Sequence, residues 1–261
     1  MNENRLINLL LRGYVVLVLV FVFLPIGASF VFSLNAERFP TLPLGGFSTQ
    51  WYQALLEDPS IAQAFLNSLQ VGLVVSLIST VLGFTAAYTD FRYQFFGKSL
   101  YMALALLPPT IPVVIMGLAM LAFLSRIGLS GDLRAIIVSH VVMCAPFAMA
   151  VIRMRLGQMD PDLERAAWNL GASQWKAMRY VILPFTAPSI VSALFVTMAV
   201  SFDEFAVAWF VSGLNETVPV RILNTLQGQV SPVINAIGSI VFTTTITLLV
   251  LAQILLVRRK R

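Results

Sequence analysis

The sequence predicts an all-α, polytopic membrane protein with six transmembrane helices, and three observations carry that prediction. Of the 261 residues, 58% are hydrophobic and only 11% are charged, whereas soluble domains are about one quarter charged. Six segments, 13–34, 64–89, 99–125, 133–152, 188–212 and 232–257, each supply the ~20 mostly apolar residues of a spanning helix. None reads as the alternating strands of about ten residues from which a membrane β-barrel is built.

Arg5 and Arg12 precede the first segment. Its apolar run exceeds the roughly 7–15 residues of a signal peptide, so it is expected to remain as a span. Residues 35–63 open with Pro and Gly punctuation and continue as a short amphipathic helix, Thr49 to Leu56, with Trp51 and Tyr52 suited to the membrane interface. Asn67 in the second span has two uses, a hydrogen bond to a neighbouring helix or a polar group lining a path.

The third span holds "LPPTIPVVIMG", with Pro108, Pro109 and Pro112. Prolines free backbone carbonyls, which lipid does not satisfy. This segment is either a kinked structural helix or a broken one beside a translocation path. In the fourth span His140 and Cys144 fall on one face. With no further ligand types nearby, a packing hydrogen bond is expected rather than a metal site. Cys144 is the only cysteine, which excludes a disulfide framework.

Asp203 and Glu204 are the acids that fall in the middle of a span. Such groups cost about 2.5–3.5 kcal/mol each and face a cavity or a partner. They can complement a cationic solute or pair structurally, and being about 100° apart on a helix they do not share one ligand atom. Trp209, near the outer end of the fifth span, suits either a cation or an interfacial anchor.

Orientation follows from the basic residues, which concentrate in cytoplasmic loops. With the N-terminus inside, thirteen of the 17 Lys and Arg residues are cytoplasmic; Arg38, Arg126, Arg134 and Arg221 are the four outside. Both termini are therefore expected in the cytoplasm. The net charge of +5 reflects this asymmetry and calls for no nucleic-acid partner.

The loop between spans four and five, 156–187, is a cytoplasmic island within an otherwise single domain, 1–261. Asp160 and Pro161 signal a helix start. Leu163, Ala166, Ala167 and Leu170 form one narrow, mostly alanine face, and Gly171 ends the helix. Ser173 caps a second short helix, with Trp175, Met178 and Ile182 on one face, that is expected to stop at Pro184. A helix resting on lipid headgroups would show bulky side chains on its apolar face. Small ones suit close docking into the groove of a partner protein.

The stretch "ERAAWNLGASQWKAMRYVILP" resembles the EAA loop of permease subunits of ATP-binding-cassette importers: Glu-Ala-Ala, three residues, Gly, nine residues, Ile-x-Leu-Pro. Aligned on Gly171, the alanines are Ala166 and Ala167, and the closing residues are Val181, Leu183 and Pro184. Arg165 occupies the glutamate position, with Glu164 one residue earlier. "LPPTIPVVIMG", "SHVVMCAPFAMAVIRMRL", "SFDEFAVAWFVSG" and "VSPVINAIGSI" are similar to the second permease subunit of polyamine-type importers.

The resemblance implies a type I importer permease fold in a bacterial inner membrane. Its coupling residues are Glu164, Arg165, Ala166, Ala167, Leu170, Gly171 and Pro184, and its path residues Asp203, Glu204, Trp209 and Asn67. It also implies a second permease, two ATP-binding subunits that hold ATP and Mg, and an extracytoplasmic solute-binding protein. The implied cargo is putrescine, spermidine or another small organic solute, opine-like or derived from an amino acid. This chain needs no cofactor of its own: "FGKS" at 96–99 lacks the earlier glycine of a phosphate-binding loop, position 92 being Arg. One His and one Cys do not make an active site, and the repeats usual in ion-driven secondary transporters are not evident.

Overall fold

Lipid offers no hydrogen-bond partners, so a spanning chain must satisfy its backbone internally. In the computed structural model, which describes residues 3–39, 43–160, 162–228 and 232–258, it does so through α-helices. They are α1 (Glu3–Ser33), α2 (Gln50–Glu57), α3 (Pro59–Arg92), α4 (Lys98–Leu106), α5 (Val113–Arg126) and α6 (Leu133–Leu156). There follow α7 (Asp162–Asn169), α8 (Gln174–Ala177), α9 (Leu183–Asp203), α10 (Ala206–Val211), α11 (Val218–Gly228) and α12 (Val233–Arg258). Among the described residues five segments are long and apolar enough to cross a membrane: Ile7–Ser33, Pro59–Arg92, Leu133–Leu156, Gln174–Asp203 and Val233–Val250.

The chain divides into two compact units, residues 1–62 with 222–243 and residues 63–221 with 244–261. In the first, α1 meets α2 through the Ser33 and Tyr52 hydroxyls, 2.7 Å apart. Trp51 Nε1 donates to the Asn35 carbonyl at 2.6 Å. The two aromatics expected at the membrane interface thus spend their polar tips on the chain itself. Further along α1, Ser29 Oγ donates to Asn235 Oδ1 at 3.4 Å, and Phe30 packs edge-on against Phe242.

The second unit is built around α6 and α9. His140 Nδ1 and Ser201 Oγ lie 2.9 Å apart, and Cys144 Sγ donates to the Thr197 carbonyl at 3.8 Å. The two residues on one face of α6 therefore both serve helix packing. Asp132 caps α6 by accepting from the Ala135 N–H at 3.0 Å, and this hydrogen bond, helped by Arg134, holds its carboxyl below the usual range. Against the other side of α6 comes α3. A Cβ on Gly83 would lie 2.5 Å from the Met149 nitrogen and 2.6 Å from the Ala148 Cβ, so only glycine allows this approach.

Two expected elements differ, and at the proline-rich span the structure takes the broken one of the two expected forms. The third span is not one helix: α4 ends at Leu106, Pro108–Thr110 makes a single 3₁₀ turn, Ile111 is extended, and α5 restarts at Val113. The cause is Pro112, which pushes the residue before it out of the helical region. The fifth span, expected over 188–212, instead runs over Gln174–Asp203. Glu204 is extended and a separate helix, α10, follows.

The second helix of the loop does not stop at Pro184. A π turn over Met178–Ile182 carries it into α9, where Pro184 sits in the first turn and its missing N–H costs least. That wider turn also shifts the register. Trp175 is exposed and Ile182 fully buried, so the two do not share a face.

The Gly83 contact yields a stability prediction. Gly83→Ala should destabilise the purified protein by about 1–3 kcal/mol through overpacking, while Gly13→Ala, with nothing within 4 Å of the new Cβ, should not. The check is the temperature at which the buried Cys144 thiol becomes reactive to a fluorescent maleimide.

Candidate functional site

Two places gather the sequence-predicted residues: the loop around α7, and the paired helix breaks at 107–112 and 204–205. Pro161 lies outside the described residues, but the start of α7 is fixed beside it, because Asp160 Oδ1 accepts from the Asp162 N–H at 2.9 Å. At the other end Gly171 has φ +82°, with its N–H on the Trp168 carbonyl and the Ala172 N–H on the Ala167 carbonyl. These are the two bonds of a Schellman stop, which needs a left-handed residue there. Ser173 then caps α8 by accepting from the Lys176 N–H at 3.3 Å.

Between these stops α7 has two unlike faces. Glu164 and Trp168, one turn apart, point inward. Glu164 is 4% exposed; Arg92 Nε lies 3.2 Å from its Oε2, and the Tyr88 hydroxyl donates to its Oε1 at 3.3 Å. The Arg92 guanidinium also stacks 4.5 Å from the centre of the Trp168 ring. Leu163, Ala166 and Leu170 are exposed, Leu170 at 89%, and Ala167 is half-buried. Arg165 points away from Glu164 and pairs with Asp162 at 2.9 Å on the open surface, where such a pair is worth little. Pro184 is exposed on the α9 side of the π turn.

Sequence reasoning missed what holds α7. Tyr88 and Arg92 are i, i+4 on the last turn of α3, matching the i, i+4 pair Glu164 and Trp168. It also passed over Asp90, set between them. Asp90 Oδ2 lies 2.6 Å from Arg153 Nε and its Oδ1 3.2 Å from Lys98 Nζ. The last turn of α3 thereby binds α7 on one side and the ends of α6 and α4 on the other. The available signal was an acid isolated among the basic residues of a span end.

The helix breaks enclose a cavity of about 210 Å³ lined by Pro108, Pro109, Ile111, Met116, Met143, Phe147, Val200 and Glu204, among others. Glu204 is the one ionisable side chain in that lining. Its Oε1 accepts from the Val207 N–H at 2.9 Å, so the carboxylate also caps α10. Asp203 turns elsewhere and accepts from Thr245 Oγ1 at 3.2 Å. The adjacent acids therefore face different surroundings, Asp203 ending α9 and Glu204 lying in the extended break after it. Trp209 lies on α10, half-exposed and edge-on to Phe210 at 5.1 Å, and does not line the cavity. Asn67 is buried, donating to the Glu216 carbonyl and accepting from Gln63, both at 2.9 Å.

The chain is similar to known proteins in sequence and fold. Over 245 residues the chain is 29% identical to the spermidine/putrescine transport system permease protein PotC of Haemophilus influenzae, spanning 94% of this chain and 95% of that one. It is 31% identical over 237 residues to the putrescine transport system permease protein PotI of Escherichia coli K12, spanning 87% and 84%. Among solved structures, a chain of a bacterial ABC transporter involved in import of the acidic polysaccharide alginate superposes with a TM-score of 0.76 over 99% of this chain and 97% of that one, at 18% identity. Residues 79–261 match the family described as binding-protein-dependent transport system inner membrane component. With its membrane-length helices, its stopped and clamped loop and this match over most of its length, the chain belongs to that family of importer permeases.

Proposed function

We propose that this permease forms half of the path for a small cationic solute, putrescine or spermidine, and that a separate ATP-binding subunit drives it by gripping α7. The observation that carries the coupling half is the bare Leu163–Ala166–Leu170 stripe, with Ala167 half-buried beside it, on a helix whose opposite face is locked to α3. A partner seated on alanine can approach the backbone closely, and a locked helix moves as a body when pushed. Thirteen Lys and Arg residues on the side of this loop support its placement, with both termini, in the cytoplasm. ATP and Mg then belong to two ATP-binding subunits, and a solute-binding protein delivers cargo from outside. A second permease completes the path.

The cationic cargo is supported by Glu204 in the apolar cavity and by what the PotC and PotI relatives are named for. An ammonium group there gains a charge partner, and Met116, Met143 and Phe147 suit the methylene chain. The reading is tested in proteoliposomes holding this chain with its co-encoded partners, ATP inside and loaded binding protein outside. Labelled putrescine should enter only with ATP and the ATP-binding subunit. Uptake without that subunit would point to an ion-driven carrier instead.

Two variants separate the halves of the proposal. Ala166→Trp should weaken co-purification of the ATP-binding subunit by about 2 kcal/mol, near thirtyfold, as expected for a bulky group at a close contact. The protein should remain monodisperse in detergent. Glu204→Gln should leave that association intact and lower putrescine uptake at subsaturating concentration by about tenfold or more. Unchanged putrescine uptake in Glu204→Gln would remove the cationic role of this carboxylate.

A further inference from the structure

The end of α3 carries three alternate side chains, all committed to other elements. Arg92 and Tyr88 hold Glu164 of α7; Asp90, between them, holds Arg153 of α6 and Lys98 of α4. Nothing in local helix formation requires these links. The helix α7 already has its own start at Asp160 and its own stop at Gly171. Its amphipathic stripe does not include Glu164. A carboxylate is nonetheless taken almost wholly out of water at this point, with a guanidinium and a phenol brought to it from 72 and 76 residues away in the chain. Arg92 is further fixed by stacking on Trp168, which removes its freedom to swing out.

We propose that the Glu164–Arg92 pair is a force-transmitting joint: it makes α7 and the last turn of α3 one rigid body. Displacement of α7 by its partner is thereby passed to α3 and, through Asp90, to α6 and α4. This inference rests on the coupling role proposed above for α7 and assigns Arg92 and Glu164 as positioning residues, which touch neither solute nor nucleotide. Because Glu164 is spent inside the chain, it is not a contact for the ATP-binding subunit. Loss of the joint must therefore disconnect motion without disturbing docking. A pair serving only to stabilise the fold has the opposite signature, lowering yield and thermal stability while leaving the coupling ratio of the surviving protein unchanged.

The test uses the assembled transporter in proteoliposomes, comparing Glu164→Gln, Arg92→Gln and the exchanged pair Glu164→Arg with Arg92→Glu. Three quantities are read: the amount of ATP-binding subunit retained, the stimulation of ATP hydrolysis by loaded binding protein, and solute moved per ATP. Each single variant should retain the subunit within about twofold and lose about tenfold in solute moved per ATP, in the range of ordinary coupling free energies. The exchanged pair should recover most of that loss. Single variants with an unchanged ratio, or an exchanged pair no better than either single, would overturn the joint. If a single variant fails to fold, the exchanged pair still decides the matter, since recovery of folding without recovery of the ratio assigns the pair to stability alone. A wild-type chain that neither binds nor responds to the ATP-binding subunit would remove the coupling reading itself, and the joint with it.

Discussion

A carboxylate removed from water loses several kcal/mol of solvation and is tolerated only where a cation and further hydrogen bonds replace it. Glu164 meets that condition through Arg92 and Tyr88, and the position of α7 follows from it. With the carboxylate turned in, helical geometry turns Leu163, Ala166 and Leu170 out. Asp90 obeys the same rule two residues before Arg92, about 200° around the helix axis, so its partners Arg153 and Lys98 approach from another side. One turn of α3 thus orders the ends of three other helices. The π turn that carries the loop into α9 adds a fourth, since it leaves Ile182 buried against Leu156 and Met159 in the same cluster.

The cavity depends on a second constraint, that backbone cut loose inside a membrane protein must be satisfied nearby or face a cavity. Pro108, Pro109 and Pro112 break one helix and Glu204 marks the break in another, and both breaks border one space. Glu204 meets part of the need itself by capping α10 through the Val207 N–H. Its carboxylate is therefore preorganised, held by backbone on one oxygen and available on the other. Glu164 and Glu204 share a chemistry and differ in closure. The first is sealed by Arg92 and Tyr88, while the second borders a cavity.

Much of this was legible in the sequence, and the limits have physical causes. The spans announce themselves because apolar length is a local property. The alanine stripe, the stop at Gly171 and the cap at Ser173 were readable for the same reason: each is set within one or two turns. Hydropathy says nothing about whether an apolar run stays helical: the prolines offered the break at Ile111 as one of two readings, but the break at Glu204 was hidden inside an otherwise convincing span. Pro184 misled in the other direction. A proline signals a stop unless a wide turn precedes it, and a π turn has no local sequence signature. The Glu164–Tyr88 and Asp90–Arg153 pairings could not be read, because pairing across more than 60 residues depends on how helices pack.

On the proposed reading a diamine brings at least two ammonium groups to a cavity where this chain offers one carboxylate, Glu204. Asp203 is turned to Thr245 and does not line that space. A solute in this volume of about 210 Å³ would meet one carboxylate among Met, Phe, Val, Ile and Pro side chains, and a path must release what it accepts. On that reading the second ammonium is left for the proposed second permease. A single carboxylate in the cavity thus fits the proposed half-site, in which the choice between putrescine and longer polyamines would rest on the distance from Glu204 to a group on the second permease.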